Sequence, residues 1–454
     1  MTTDDRRRKR DGCPHRSART LRGGGHRPRP WEPGRAGHPG RPGRATRIPV
    51  SPPGPAAAGG GGPAEPSAHP WSVRIRSFHI AALALMSVLL TLIAAPPAAA
   101  APGTCSEQGN YEVCVTYGGP GNVDTLIPRK IKAKIDATAT TPQSGDYIRV
   151  AMYTWDNSGY GTEIADSLVR AAQNGVSVRI VVGSVDQTLR TKFVNAGIDL
   201  RTCPDACMKN PDGTWSGAMH NKFFVIRKGA TELVLQTSAN LSDWQAQHAQ
   251  NMLIVRDDPA LFAGYVNYWR RLYDQDWTWS GTTWGDDDKS PYGTNGNSRA
   301  YFFPQYTKQP LVGVLAGVTD CAAGNDRIWM EASIFDNSDH SRDIIAQLNR
   351  LRGIGCDVKV VVQEASSRNL LLANGVPGTD ISCDGWHHNK LLVIDAKYGG
   401  AWNKAVFTGS YNPTANSNYR ANDAMLRVMD GWATNRYIDQ FRQLWTNPRT
   451  CDTA

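Results

Sequence analysis

The strongest constraint on this 454-residue chain is that it repeats itself. DYIRVAMYTWDN (146–157) matches DRIWMEASIFDN (326–337), and NGVSVRIVV (174–182) matches IGCDVKVVV (354–362), both at a distance of 180 positions. Between them, GTEIADSLVRAAQ and HSRDIIAQLNRLR space their apolar residues as a helix does. Each unit therefore reads strand, helix, strand, the grammar of a parallel α/β layer. YVNYWRRLY (265–273) and YIDQFRQLW (437–445), 172 apart, predict a closing helix in each copy. The expected organisation is two tandem α/β repeats, residues 102–285 and 286–454. They meet through the Gly/Ser/Asp-rich stretch WTWSGTTWGDDDKSPYGTNGNS (277–298).

The repeats carry matching polar residues. AMHNKFFVIR (218–227) corresponds to WHHNKLLVID (386–395), and LVLQTSANLS (233–242) to AVFTGSYNPT (405–414). The apolar run after each His-Asn-Lys reads as a buried strand, so His and Lys at i and i+2 face the same way. A second strand in each copy ends in Ser-x-Asn: Ser238 and Asn240, then Ser410 and Asn412. A single His-x-Lys is ordinarily a surface feature; a doubled one at matched distances is not. Two such sets facing one pocket would gather two imidazoles, two ammonium groups and two carboxamides. Lys and Asn donate to phosphate oxygens. Paired imidazoles offer a nucleophile and a proton donor.

These motifs resemble the phospholipase D superfamily, whose signature is a duplicated His-x-Lys-x4-Asp followed by a Gly-Ser-x-Asn element. The second copy matches at His388, Lys390, Asp395, Gly409, Ser410 and Asn412. The first matches at His220, Lys222, Ser238 and Asn240, and departs at Thr237 and Arg227. The resemblance implies mixed sheets packed face to face about a pseudo-twofold, with one active site between the repeats. It also implies a phosphohistidine intermediate, phosphoryl oxygens held by the Lys and Asn pairs, and no metal or cofactor. An acidic residue from the opposite half usually orients the nucleophilic histidine. Asp423 is the candidate, and its counterpart at an offset of 172 is the uncharged Asn251. That asymmetry makes His220 the expected nucleophile and His388 the expected acid. Arg227 stands where the family has Asp, at a position expected to be structural, so Arg227→Asp should be tolerated.

The net charge of +9 misleads, because residues 1–100 alone carry +11 and the rest carries −2. The folded part thus gives no electrostatic support for non-specific nucleic-acid binding. Residues 1–72 are Arg-, Pro- and Gly-rich and are expected to be disordered. Residues 73–101 combine Arg74 and Arg76, a short apolar run and Ala98-x-Ala100, the pattern of a secretory signal. A membrane anchor is the competing reading, though the run is shorter than the roughly 20 residues a span needs. Val73 is a candidate true start. Beyond Cys13, eight cysteines remain, an even set that fits disulfides in an exported chain. Proximity pairs Cys105 with Cys114 and Cys203 with Cys207. Adjacent strand starts pair Cys321 with Cys356, leaving Cys383 with Cys451. Zinc at Cys203 and Cys207 is disfavoured because no second Cys/His pair has the right spacing.

The expected product is a secreted, monomeric phosphodiesterase that attacks phospholipids at a membrane surface and has no transmembrane segment once mature. A secreted nuclease and a weakened lipid-binding homologue are the alternatives. Twelve Trp follow residue 100, among them Trp155, Trp215, Trp244, Trp386, Trp402 and a cluster at Trp277, Trp279 and Trp284. Core packing accounts for most in the plain reading, and a membrane interface for some in the sharper one. DDDK (286–289) is expected to be a solvated loop rather than a calcium site.

Overall fold

The computed structural model describes residues 102–210, 213–278, 283–322 and 326–452. The expected extension, the signal segment, Cys13 and Trp279 lie outside them.

Two mixed sheets form, each built from one copy. The first runs, in spatial order, Thr104–Gln108, Tyr111–Val115, Asn251–Arg256, Thr231–Thr237, Lys222–Lys228, Tyr147–Trp155, Ser177–Val185, Asp199–Thr202. The second runs Ile381–Cys383, Asp357–Val362, Arg327–Ala332, Leu391–Tyr398, Ala401–Gly409, Ala424–Val428, Ser298–Phe302, with Val318–Asp320 added beside Leu391–Tyr398. In both, the repeated strand-helix-strand unit is parallel, crossing through helices Gly159–Gln173 and Asp339–Gly353. The strand after each His-Asn-Lys pairs antiparallel to the first strand of that unit.

The apolar runs after the motifs follow from burial on both faces. Phe223 and Val225 join Leu391 and Val393 in one core shared by the repeats. Alternate residues turn outward: Phe224 and Ile226 meet Ile164 and Leu168, and Leu392 and Ile394 meet Ile344 and Leu348. The predicted closing helices, Pro259–Asp274 and Gly431–Thr446, fill the shared core with Tyr265, Tyr268, Trp269, Tyr437 and Phe441. Asp258 and Asp430 cap them, accepting from Leu261 and Ala433 N–H.

The connection between repeats is more ordered than its composition suggests. Trp277 and Trp284 pack as a tilted pair with centroids 5.4 Å apart, and Trp284 is buried. Lys289 is buried as well, with its ammonium 4.2 Å from the Trp277 ring centre and donating to Pro304 O at 2.8 Å. Asp286 accepts from Tyr306 and Thr307 N–H. DDDK is therefore solvated only in part: Asp287 and Asp288 are exposed as expected, while Asp286 and Lys289 are held inward, beside a Trp pair packed against the core. Trp155 is also core, whereas Trp215, Trp244 and Trp402 are 45%, 56% and 56% exposed. Among the described residues, no helix is long and apolar enough to cross a membrane.

All four expected cysteine pairs are joined, with Cα separations of 4.1, 5.0, 5.1 and 5.0 Å for Cys105–Cys114, Cys203–Cys207, Cys321–Cys356 and Cys383–Cys451. Non-reducing peptide mapping of the purified protein should recover these four cross-links and no free thiol among the eight; any other partner would contradict the strand placement described above.

Candidate active site

The two motifs meet because each borrows backbone from the other repeat. His220 N–H donates to Asn422 O at 2.9 Å and Asn422 N–H to Ala218 O at 2.7 Å. In mirrored fashion, His388 N–H donates to Ala249 O at 2.9 Å and Ala249 N–H to Trp386 O at 2.7 Å. Lys222 starts the following strand and Lys390 immediately precedes its own, and each ammonium folds back on its histidine, donating to His220 O at 2.7 Å and His388 O at 2.9 Å. Lys390 also donates to Ser333 Oγ at 2.6 Å. Lys222 lies over the Tyr153 ring, which also meets His220 edge-on with centroids 4.9 Å apart. Asn240 and Asn412 follow the second strands, and the carboxamide oxygen of each is buried without a partner.

The imidazoles are oriented differently. His220 Nδ1 lies 2.7 Å from Asp423 Oδ1, and Ser410 Oγ donates to the same oxygen at 2.6 Å. His388 Nδ1 faces Ser238 O at 3.2 Å. A carboxylate and a carbonyl only accept, so both Nδ1 atoms carry the proton and both Nε2 atoms keep a lone pair. The counterpart of Asp423 is Gln250, not Asn251. Ser238 Oγ bonds Gln250 Oε1 at 2.7 Å, as Ser410 bonds Asp423. The copies slip by one residue here, so fixed-offset alignment missed it. Asn251 instead joins the repeats, donating to Asn389 Oδ1 at 3.0 Å and accepting from Thr408 Oγ1 at 2.5 Å. Asn389 in turn donates to the buried Glu331 at 2.6 Å, whose carboxyl is pushed up to about 8, chiefly by burial.

Burial governs the electrostatics. It pulls Lys222 down to about 7 against the attraction of Asp423. Burial, then Lys222, holds Lys390 well below the ordinary ammonium range. Each imidazole keeps an exposed edge, yet close packing dominates its titration. Burial, then Lys390, Lys222 and His220, takes His388 well below its usual value. His220 is lowered by burial and Lys222, with Asp423 opposing. Burial pushes Asp423 up, but His220, Ser410 and Lys222 outweigh it and hold the carboxyl below its ordinary range. The site is thus a group of cations that shed protons readily, beside one firmly ionised carboxylate.

Asp395 lies down the strand, paired with Arg327 at 2.9 Å and with Lys404 at 3.4 Å on the facing strand. Arg227 occupies the equivalent place and pairs with Glu232, its own facing residue. Lys404 and Glu232 correspond at the 172 offset, so the whole cross-strand pair is inverted, Asp–Lys in one copy and Arg–Glu in the other. The facing Glu232 argues against the expectation that Arg227→Asp is tolerated, because that change would set two carboxylates opposite one another. Thr237 replaces the motif glycine without loss: its hydroxyl donates to Asn251 O at 2.8 Å. Gly409 has no such freedom, since a Cβ there would sit 2.2 Å from Ala424 O.

Residues 139–277 and 321–445 match the family described as "Cardiolipin synthase, PLD-like domain". The match spans more than half of the chain and takes in both copies, and the chain belongs to this phospholipase D-like superfamily of phosphodiesterases and phosphotransferases. Among solved structures it is similar to phosphatidylserine synthase from Haemophilus influenzae Rd KW20, at 12% identity and TM-score 0.48, covering 77% of this chain and 89% of that one. It is also similar to polyphosphate kinase from Porphyromonas gingivalis, at 15% identity and TM-score 0.47, covering 69% of this chain and 45% of that one. A third is Nuc, a phospholipase D family member from Salmonella typhimurium, at 22% identity and TM-score 0.27, covering 36% of this chain and 95% of that one. No curated protein matches the sequence.

Arg227→Asp should cost about 1 kcal/mol of stability through like charges set opposite across strands. Arg227→Asp/Glu232→Lys should restore most of that loss by recreating the pair of the other repeat. Denaturant melts of the single and double variants measure both. A second expectation concerns pH. Lys222 binds an anion only while protonated, and it loses that proton as pH rises through about 7. Affinity for sulfate, whose own charge is constant, should therefore fall by up to about tenfold per pH unit above that point. Calorimetry in buffers of different ionisation heat should show proton uptake on binding. A flat profile from pH 6 to 9 would mean that the site holds its charge without a ligand.

Proposed function

We propose that the protein is a secreted phosphodiesterase that cleaves, or transfers, the phosphodiester bond of phospholipids through a phosphohistidine. The observation that carries the assignment of roles is the His220–Asp423 bond, set against the neutral Gln250 at the equivalent position. Asp423 fixes the His220 tautomer and stabilises the cation that forms when Nε2 attacks phosphorus. His388 has no such countercharge and suits a group that gains and gives a proton. His388 takes a proton on Nε2 as the anionic diester enters beside it. In the first step, the His220 Nε2–phosphorus bond forms as the phosphorus–oxygen bond to the leaving alcohol breaks, and His388 Nε2–H protonates that oxygen. In the second, neutral His388 takes a proton from water or another alcohol. That oxygen then displaces His220 from phosphorus. Lys222, Lys390, Asn240 and Asn412 stabilise the phosphoryl oxygens as charge develops.

The lipid reading rests on the net charge of −2 beyond residue 100 and on the exposed Trp215 and Trp244, which flank the two motifs of the first repeat. The description of the matching family names a phospholipid-synthesising enzyme. Four disulfides fit an oxidising compartment outside the cytoplasm.

Purified protein should release the head-group alcohol from phosphatidylcholine vesicles and leave single-stranded DNA intact; the reverse preference would replace the lipid reading with a nuclease. His220→Ala should abolish both turnover and the acid-labile phosphoenzyme. His388→Ala, given a substrate with a good leaving group, should accumulate the phosphoenzyme because no base remains to activate water. Accumulation in His220→Ala instead would reverse the two roles. Lys222→Ala and Lys390→Ala should each cost on the order of 10²-fold in rate.

A further inference from the structure

We propose that the segment after the last helix, residues 449–452, positions His388, with Arg449 as the positioning residue. The inference rests on the reading of His388 as a catalytic group. The loop leading to His388, residues 383–387, is gripped on one side by this segment and on the other by the first repeat. Asp384 is fully buried, and both its carboxylate oxygens are engaged: Arg449 donates to Oδ1 at 2.8 Å and to Oδ2 at 2.6 Å, and Trp386 N–H donates to Oδ1 at 2.9 Å. The Asp384 carbonyl accepts from His387 N–H at 3.1 Å and His387 Nδ1 at 2.8 Å. Arg449 also donates to Tyr117 O at 3.0 Å, in the first repeat.

The backbone repeats the pattern. Gly385 N–H donates to Thr450 O at 2.9 Å, Asp452 N–H to Gln363 O at 2.9 Å, and Ala365 N–H to Asp452 O at 3.0 Å. Cys383–Cys451 adds a covalent tie at the start of the loop. A Cβ on Gly385 would lie 2.8 Å from both Thr450 O and Asp452 N, so segment and loop are in direct backbone contact. Trp386 O and His388 N–H are then taken by Ala249.

The first repeat solves the same problem differently. Cys203 corresponds to Cys383 at the 180 offset, but it closes locally on Cys207. Cys207 N–H donates to Asn422 Oδ1 at 2.6 Å, next to Asp423. The loop before His220 is thus braced by the other repeat, whereas the loop before His388 is held in addition by the segment that follows the closing helix, which has no counterpart among these contacts in the first repeat. His388 has no carboxylate on Nδ1, so its aim rests on how firmly this loop is held.

The test compares Arg449→Met, Arg449→Lys, Cys383→Ser/Cys451→Ser and a remote control, Cys321→Ser/Cys356→Ser. Arg449→Met leaves the buried Asp384 carboxylate without its countercharge, so Asp384→Asn/Arg449→Met is made alongside it. In the full-length protein, both Arg449→Met variants should lower kcat by roughly one to two orders of magnitude. KM should stay within about threefold, and Arg449→Lys should recover part of the loss. The control should melt earlier but keep kcat. The His388 imidazole resonances, assigned through His388→Ala, should shift in position and apparent pKa in the Arg449 variants and not in the control. That readout needs no substrate, so it decides the positioning role even if no phosphohistidine forms in the wild type. Wild-type kcat and unchanged His388 resonances in both Arg449→Met variants would overturn the proposal. So would a kcat loss in the control as large as theirs.

Discussion

The site depends on one exchange: each repeat supplies the backbone that holds the other's histidine. His220 hangs on Asn422 and His388 on Ala249, so neither half has a complete site alone. The shared core makes this exchange rigid. Phe223, Val225, Leu391 and Val393 extend directly from the motif residues into it, and a side chain packed in a dense interior has little room to shift. The apolar run after each His-Asn-Lys is therefore part of the chemistry's support. It turns a sheet-to-sheet packing surface into a fixed relation between two imidazoles.

Burial both builds the site and strains it electrostatically. Lys222 and Lys390 are almost fully enclosed, and taking an ammonium out of water is costly unless it is paired. Their partners here are carbonyls and one serine hydroxyl, not carboxylates of their own. Both sit below their ordinary range for this reason. An anion entering the site would supply the missing countercharge and return them to the cationic state. Binding and protonation are then a single linked event, and the cations are most strongly charged when a phosphoryl group needs them.

The sequence made legible what repeats and periodicity can report. The strand-helix-strand units, the motif strands, the closing helices and three cysteine pairs were readable, because each is fixed by spacing or by adjacency of strands; Cys383–Cys451 followed as the pair left over. Gln250 was not, because a one-residue slip between copies breaks fixed-offset alignment without altering the pattern around it. Arg449 and Glu331 were invisible for another reason: their partners, Asp384 and Asn389, lie tens of residues away and share no motif with them. Lys289 misled because composition does not reveal side-chain direction: this Gly- and Asp-rich stretch folds it over the Trp277 indole, whereas Trp277 and Trp284 follow the core-packing reading. The Arg227 puzzle was soluble in principle, since Glu232 and Lys404 stand at the same offset as the flanking motif residues. A search for compensating changes on the facing strand would have found the inverted pair.

The difference between Asp423 and Gln250 explains why a near-symmetric fold can give unlike roles to two similar histidines. Two carboxylates, one behind each imidazole, would neutralise much of the site's positive potential and weaken its hold on a phosphodiester. No carboxylate would leave neither histidine stabilised as it acquires charge on attacking phosphorus. A single Asp423 keeps an excess of ionisable cations over acids while stabilising one imidazole only. It bonds His220 and Ser410 and attracts both Lys222 and Lys390, so one carboxylate serves the cations of both halves while hydrogen-bonding a single imidazole. His388 is left with a carbonyl, which fixes the Nδ1 proton and orients the ring but supplies no countercharge to its cationic form. A group that must release a proton in one step and take one back in the next is better served by that weaker partner.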